Sequence, residues 1–74
     1  MNFRFKVGDW VYPIQNASHQ PGTNYVHKEP YQITALSTDY DDEYYLEGYG
    51  WEWCICESYE EAKSFADRWN EEGL

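Results

Sequence analysis

Four side chains here belong to the types that act elsewhere as nucleophiles, bases or metal ligands: Cys54, Cys56, His19 and His27. A nucleophile needs an activating base held within hydrogen-bond reach. The cysteines fall in the aromatic segment Trp51–Cys56 and the histidines in a polar stretch far upstream, so nothing in the spacing brings them together. A zinc site takes about four nitrogen and sulfur ligands at short, recognisable intervals. A Cys-x-Cys pair with two scattered histidines does not supply one, so neither a metal nor another cofactor is expected. Within a strand, Cys54 and Cys56 would point to one face of one chain, where a disulfide is badly strained. They read as free, buried thiols, which suits a reducing compartment. Carboxylates are so numerous that pairs suited to acid–base work could be found anywhere, and their presence selects nothing. No Gly-rich phosphate-binding loop is present. The expectation is a protein that is not an enzyme.

The carboxylates matter as a set. Fourteen acidic residues face five basic ones, for a net charge of -9. Residues 1–38 hold Arg4, Lys6 and Lys28 against Asp9 and Glu29, whereas residues 39–74 hold twelve acids against Lys63 and Arg68. All the net negative charge therefore belongs to the second half. Asp39, Asp41, Asp42, Glu43 and Glu47 surround an expected hairpin, Glu52 and Glu57 follow on the next strand and its exit, and Glu60, Glu61, Asp67, Glu71 and Glu72 belong to an expected helix. One reading is a solvated surface that keeps an aromatic-rich domain soluble. A surface of mixed sign would do that without the self-repulsion of a nearly single-signed half. The other reading is imitation of a phosphate backbone, since carboxylates on helices and paired strands fall at spacings similar to those of phosphates. Direct binding to nucleic acid or to an anionic membrane is disfavoured by the same charge.

Something must position these groups, and 74 residues make one domain near the lower limit for folding unaided. Four Trp, eight Tyr and three Phe compensate, each burying roughly 150–250 Å² when enclosed. Phe3, Phe5, Tyr31, Ile33, Leu46, Trp53, Ile55, Phe65 and Trp69 suffice for a core. Tyr25, Tyr40, Tyr45, Tyr49, Trp10 and Trp51 are left for the surface, where Tyr and Trp beside acids are typical interface anchors. The expected partner-binding set is thus Asp39, Asp41, Asp42, Glu43, Glu47 and Glu52 with Tyr40, Tyr45, Tyr49 and Trp51. No hydrophobic run approaches the roughly 20 residues that span a bilayer. The opening residues have no apolar core of a signal peptide, so a soluble, cytoplasmic protein is expected.

Phe3, Phe5 and Val7 alternate with Arg4 and Lys6, the period of a strand with one buried face. Gly8-Asp9 breaks it, Trp10–Tyr12 resumes, and Pro13 suggests a strand end. Residues 15–29 read as a long polar loop. Tyr31–Thr38, Glu43–Glu47 and Trp51–Cys56 read as strands, with Gly48-Tyr49-Gly50 as a tight turn. Ser58-Tyr59-Glu60-Glu61 fits a capping box, and Ala62, Phe65, Ala66 and Trp69 form one apolar helical stripe that Gly73 would end. The predicted architecture is a small antiparallel barrel of four or five strands over residues 1–57, followed by a helix over 58–72.

Phe5-Lys6-Val7-Gly8-Asp9-Trp10-Val11 resembles the opening of SH3-like small barrels of the KOW/Tudor type. Pro30-Tyr31-Gln32-Ile33 and Tyr44-Tyr45-Leu46-Glu47-Gly48 followed by Trp51 resemble segments of short bacterial and phage SH3-like proteins. The resemblance covers roughly residues 5–56 and implies a fold that hosts many activities. The acidic patterning departs from the nucleic-acid-binding members, and the Ala-Leu-Tyr-Asp-Tyr motif of proline-binding SH3 domains is absent. In size and charge the chain resembles small phage anti-restriction and anti-CRISPR proteins. The expected function is therefore that of a phage- or prophage-type inhibitor, working in the host cytoplasm, that covers a basic, nucleic-acid-binding surface of a partner protein. The rivals are an SH3-like adaptor that grips a peptide or subunit through the 15–29 loop and exposed aromatics, and a ligand-binding or enzymatic accessory domain.

Overall fold

The structure is a computed structural model and describes residues 2–74. Seven short strands precede one helix: β1 (Trp10–Pro13), β2 (Gln15–Asn16), β3 (Asn24–Tyr25), β4 (Tyr31–Leu36), β5 (Tyr44–Leu46), β6 (Gly50–Glu52), β7 (Ile55–Cys56) and α1 (Tyr59–Glu71). Five of them form one antiparallel sheet in the order β6-β5-β4-β1-β7, and β2 pairs with β3 in a separate ribbon.

Connectivity alone forces this sheet to curl. Its two edge strands, β6 and β7, are joined by only Trp53 and Cys54, a link that spans at most about 11 Å. Flat, five strands would hold those edges about 19 Å apart. A register shift between Ile33 and Ala35 in β4, the central strand, supplies local bending and twist. The concave side holds Val11, Ile33, Tyr44, Leu46 and Ile55, all essentially inaccessible. Each contributes roughly 1.5–3 kcal/mol relative to an exposed position.

The predicted first strand is not one. Phe3–Lys6 keeps its period of two, with Phe3 and Phe5 half-buried and Arg4 and Lys6 exposed, but Val7, expected on the buried face, is exposed and the segment has no strand partner. Its backbone bonds to side chains instead: the Arg4 N–H donates to Asp42 Oδ1 (3.2 Å) and the Phe5 N–H to the Tyr44 hydroxyl (3.0 Å). Phe3 and Phe5 both meet the Tyr44 ring edge-on at 5.6 Å, so the segment straps the core shut.

The 15–29 segment is more ordered than a polar loop. It contains the β2–β3 ribbon and a 3-10 turn over Ala17–His19. Asn70 on α1 pins it: Asn70 Oδ1 accepts from the Asn24 N–H (2.8 Å), and Asn70 Nδ2 donates to the Asn24 carbonyl (2.9 Å). The expected strand Trp51–Cys56 is likewise two strands. The Glu52 carboxylate accepts from the N–H groups of Trp53 and Cys54, both at 3.0 Å, bending the chain out of β6 and into β7. Trp53, expected in the core, sits on that bend and is 61% exposed; Trp51, two residues before it, is exposed as well.

The helix follows its sequence signals closely. Ser58 accepts from the Glu61 N–H (3.2 Å) as the N-cap. At the far end the Gly73 N–H donates to the Asn70 carbonyl and the Leu74 N–H to the Trp69 carbonyl. With Gly73 at φ 76°, these bonds complete a Schellman motif. Ala62 and Ala66 are fully buried against Ile14 and Cys56. These small residues carry the contact, while Phe65, predicted for the core, is 38% exposed.

Candidate functional site

Alternation along β5 sorts two adjacent tyrosines. Tyr44 and Leu46 point into the core, so Tyr45 must point out. Trp51 lies directly opposite it on β6, and the two rings meet edge-to-face at 5.3 Å and 74°. Tyr45 is 39% and Trp51 51% exposed. Directly opposed aromatic pairs of this kind contribute roughly 0.2–1 kcal/mol, so the pair is preformed without being buried. Glu47, two residues beyond Tyr45, is exposed and its N–H donates to the Gln32 carbonyl (3.0 Å). Gln32 in turn stands opposite Trp10, another exposed aromatic. The outer surface of β1, β4, β5 and β6 thus presents Trp10, Tyr45 and Trp51 together with the Glu47 carboxylate.

The loop between β4 and β5 adds acids at one end of this face. Ser37 is buried, and its hydroxyl accepts from the N–H groups of Asp39 (3.1 Å) and Tyr40 (3.0 Å). That local turn leaves Asp39, Tyr40 and Asp41 exposed. The next residue, Asp42, takes a left-handed backbone (φ 57°) and folds its side chain inward.

Asp42 is therefore a structural anchor. Its Oδ1 accepts from the Arg4 N–H and from the Tyr44 hydroxyl in a very short hydrogen bond, and its Oδ2 accepts from Arg4 Nε at 2.6 Å. Partial burial works to raise the Asp42 carboxyl, but hydrogen bonds from Tyr44 and from the Arg4 backbone and guanidinium, with the Arg4 charge, hold it below its ordinary value. The Tyr44 phenol is pushed up by burial and then by the carboxylate it donates to.

Glu52 and Tyr49 are absorbed in the same way. Besides bending the chain at Trp53, Glu52 accepts from the Tyr49 hydroxyl (3.1 Å). Tyr49 is half-buried against the core and beside the Tyr31 ring, rather than free on the surface. Its phenol is pushed up by burial and by the neighbouring Glu52. Glu43 is half-buried, its carbonyl accepting from the Ser37 N–H (3.0 Å). Of the ten residues expected at the site, Asp39, Tyr40, Asp41, Tyr45, Glu47 and Trp51 stand exposed. Trp10 joins them through its register with Gln32, a neighbour that only strand pairing reveals.

Opposite charges are scarce across the acidic half. Among the described residues there are two ion pairs, Arg4–Asp42 and Lys63–Asp67 (3.1 Å). Of the twelve carboxylates in residues 39–74, these account for two, and the other ten have no cationic partner among the described residues.

The cysteines lie elsewhere. Both are free, and both line a groove of about 360 Å³ between β7 and α1, with Trp53, Phe65 and Trp69 on its walls. Burial and then the Glu52 charge push the Cys54 thiol up. Burial and a hydrogen bond with Glu61 push Cys56 up to about 11. Thiols raised in this way carry little thiolate near neutral pH, the reverse of an activated nucleophile. His27 packs edge-on against Tyr25 at 5.3 Å, on the β2–β3 side of the molecule. Among the described residues, no three His, Cys, Asp or Glu side chains converge as metal ligands, and no helix is long and apolar enough to cross a membrane.

No protein-family model matches the chain, and comparison with curated proteins and with solved structures finds no significant similarity.

Proposed function

We infer that this chain is a non-enzymatic binding module that docks on a basic, nucleic-acid-binding surface of a partner protein and occludes it. Such a protein is an inhibitor of the phage or prophage type, acting in the host cytoplasm as a nucleic-acid mimic in the manner of anti-CRISPR and anti-restriction proteins. The observation that carries the reading is the pairing imbalance: ten carboxylates of the second half lack a cation among the described residues, and three of these, Asp39, Asp41 and Glu47, stand exposed on the strand and loop that flank an exposed, preformed aromatic pair. Holding like charges together costs stability, and a basic partner would relieve that cost on binding. The aromatics supply an anchor at the centre while acids form the rim, the arrangement common to protein interfaces.

The scaffold reading is an SH3-like small barrel with an added helix. It is supported by the five-strand antiparallel order, by the bend in β4 and by the short β6–β7 link. The rival adaptor reading draws on the exposed Tyr25–His27 pair in the 15–29 segment.

Salt and charge reversal separate the two. Exposed charges are screened over about 8 Å at physiological ionic strength, so a phosphate mimic must release its partner steeply as salt rises. Reversal to Lys at Asp39, Asp41 and Glu47 leaves the Arg4–Asp42 anchor intact and is the informative variant. It should abolish binding to a partner captured from the native host, and DNA or RNA should compete for that partner. Binding that survives high salt, excess nucleic acid and the triple reversal, yet falls when Tyr25 or His19 is replaced, would leave the adaptor reading in its place.

A further inference from the structure

We propose that the surface this chain covers is rich in arginine, and that the Tyr45–Trp51 pair with Glu47 selects arginine over lysine. The inference rests on the docking reading above and names the chemistry its aromatic centre recognises. Carboxylates by themselves attract either cation. Aromatic faces discriminate, because a guanidinium is flat, weakly hydrated and able to stack, whereas an ammonium is a compact and strongly hydrated point charge.

Three observations converge on the pair. First, Tyr45 and Trp51 are exposed and held at a fixed mutual angle by strand register, so a stacking surface exists before any partner arrives. Second, Glu47 follows Tyr45 by two residues on the same outward side, about 7 Å along the chain. A guanidinium stacked on the rings has a fork of N–H donors left to engage that carboxylate. Third, this chain already uses the same chemistry on its own arginines: the Arg4 guanidinium lies 5.2 Å from the Phe5 ring centre and Arg68 lies 5.6 Å from that of Phe65. Among the described residues no cation of this chain covers Tyr45 or Trp51. The groove between β7 and α1 offers no comparable choice, since Arg4 and Glu61 set opposite charges on its rim. A second copy of the chain is opposed by the net charge of -9 on each.

The test uses an oligoarginine and an oligolysine peptide of equal length, titrated into the intact protein by calorimetry at low and at physiological salt. The arginine peptide should bind up to about five-fold more tightly than the lysine peptide, the full worth of one exposed stacking contact that a strongly hydrated ammonium forgoes. Trp51→Ala should erase that preference while both peptides still bind. Trp53→Ala, which removes an exposed tryptophan outside the pair, should preserve it. A far-UV spectrum and thermal midpoint for each variant establish that the fold is kept, and Trp51→Leu repeats the loss of the ring with an apolar side chain in place. Equal affinity for both peptides in the unaltered protein, or a preference that survives Trp51→Ala and Trp51→Leu, overturns the proposal while leaving acidic docking in place. Failure of both peptides to bind even at low salt overturns the docking reading with it.

Discussion

Asp42→Asn is the sharpest probe of how the acidic half is built. Asn keeps the left-handed backbone of this position without strain, since Asn and Asp share that tolerance. It keeps an oxygen for the Arg4 N–H and the Tyr44 hydroxyl, but turns the acceptor for Arg4 Nε into a donor and deletes the ion pair. A hydrogen bond to a charged group is worth about 1.5–3 kcal/mol. With the Arg4 side chain half-exposed and that of Asp42 one-third exposed, solvent screening lowers this to about 1–2 kcal/mol. In a domain of this size that corresponds to a fall of roughly 4–16 °C in thermal midpoint. The pH dependence is specific. Because the folded-state carboxyl lies below its ordinary value of 3.8, its contribution is fully present above that value and is lost as pH falls through the lower folded value. Denaturant titrations of both proteins from neutral to strongly acidic pH should show a gap at neutrality that closes below the ordinary carboxylate range. Comparing the two proteins also cancels most of the general relief of self-repulsion on acidification. A gap near zero at neutral pH, or one that persists unchanged in acid, would refute the account of Asp42 as a charged anchor for the amino-terminal strap.

Ser58→Ala removes the helix cap and should cost about 1 kcal/mol, read as a lower urea midpoint with unchanged slope. Alkylation by iodoacetamide without reductant should modify two thiols, because both cysteines are free. It should be slow in the native protein at mildly alkaline pH, with half-buried Cys54 reacting before Cys56, whose thiol is raised to about 11, and fast for both in guanidinium. Peptide mapping by mass spectrometry reads the order, and equal native rates at the two positions would count against it.

The features legible in the sequence are those whose cause lies within a few residues. Ser58 and Gly73 mark the helix ends because a cap and a left-handed stop each act on the backbone of the adjoining turn. The imbalance of charge between the halves is a property of composition, and the outward setting of Tyr45 and Trp51 follows from alternation along short strands. Tertiary structure decided what each acid does. Nothing local distinguishes Asp42 from Asp41, yet one meets Arg4 across 38 positions of chain while the other faces solvent. The same holds for Glu52, whose carboxylate turns the chain between β6 and β7 instead of facing a partner. Phe3 and Phe5 carry the period of a strand, but a strand also needs a neighbour with free backbone groups, and here side chains of Asp42 and Tyr44 take those bonds. Periodicity reports which way a side chain faces. Which backbone or carboxylate it meets depends on the register of distant segments, and that is settled only when the whole sheet curls over its core.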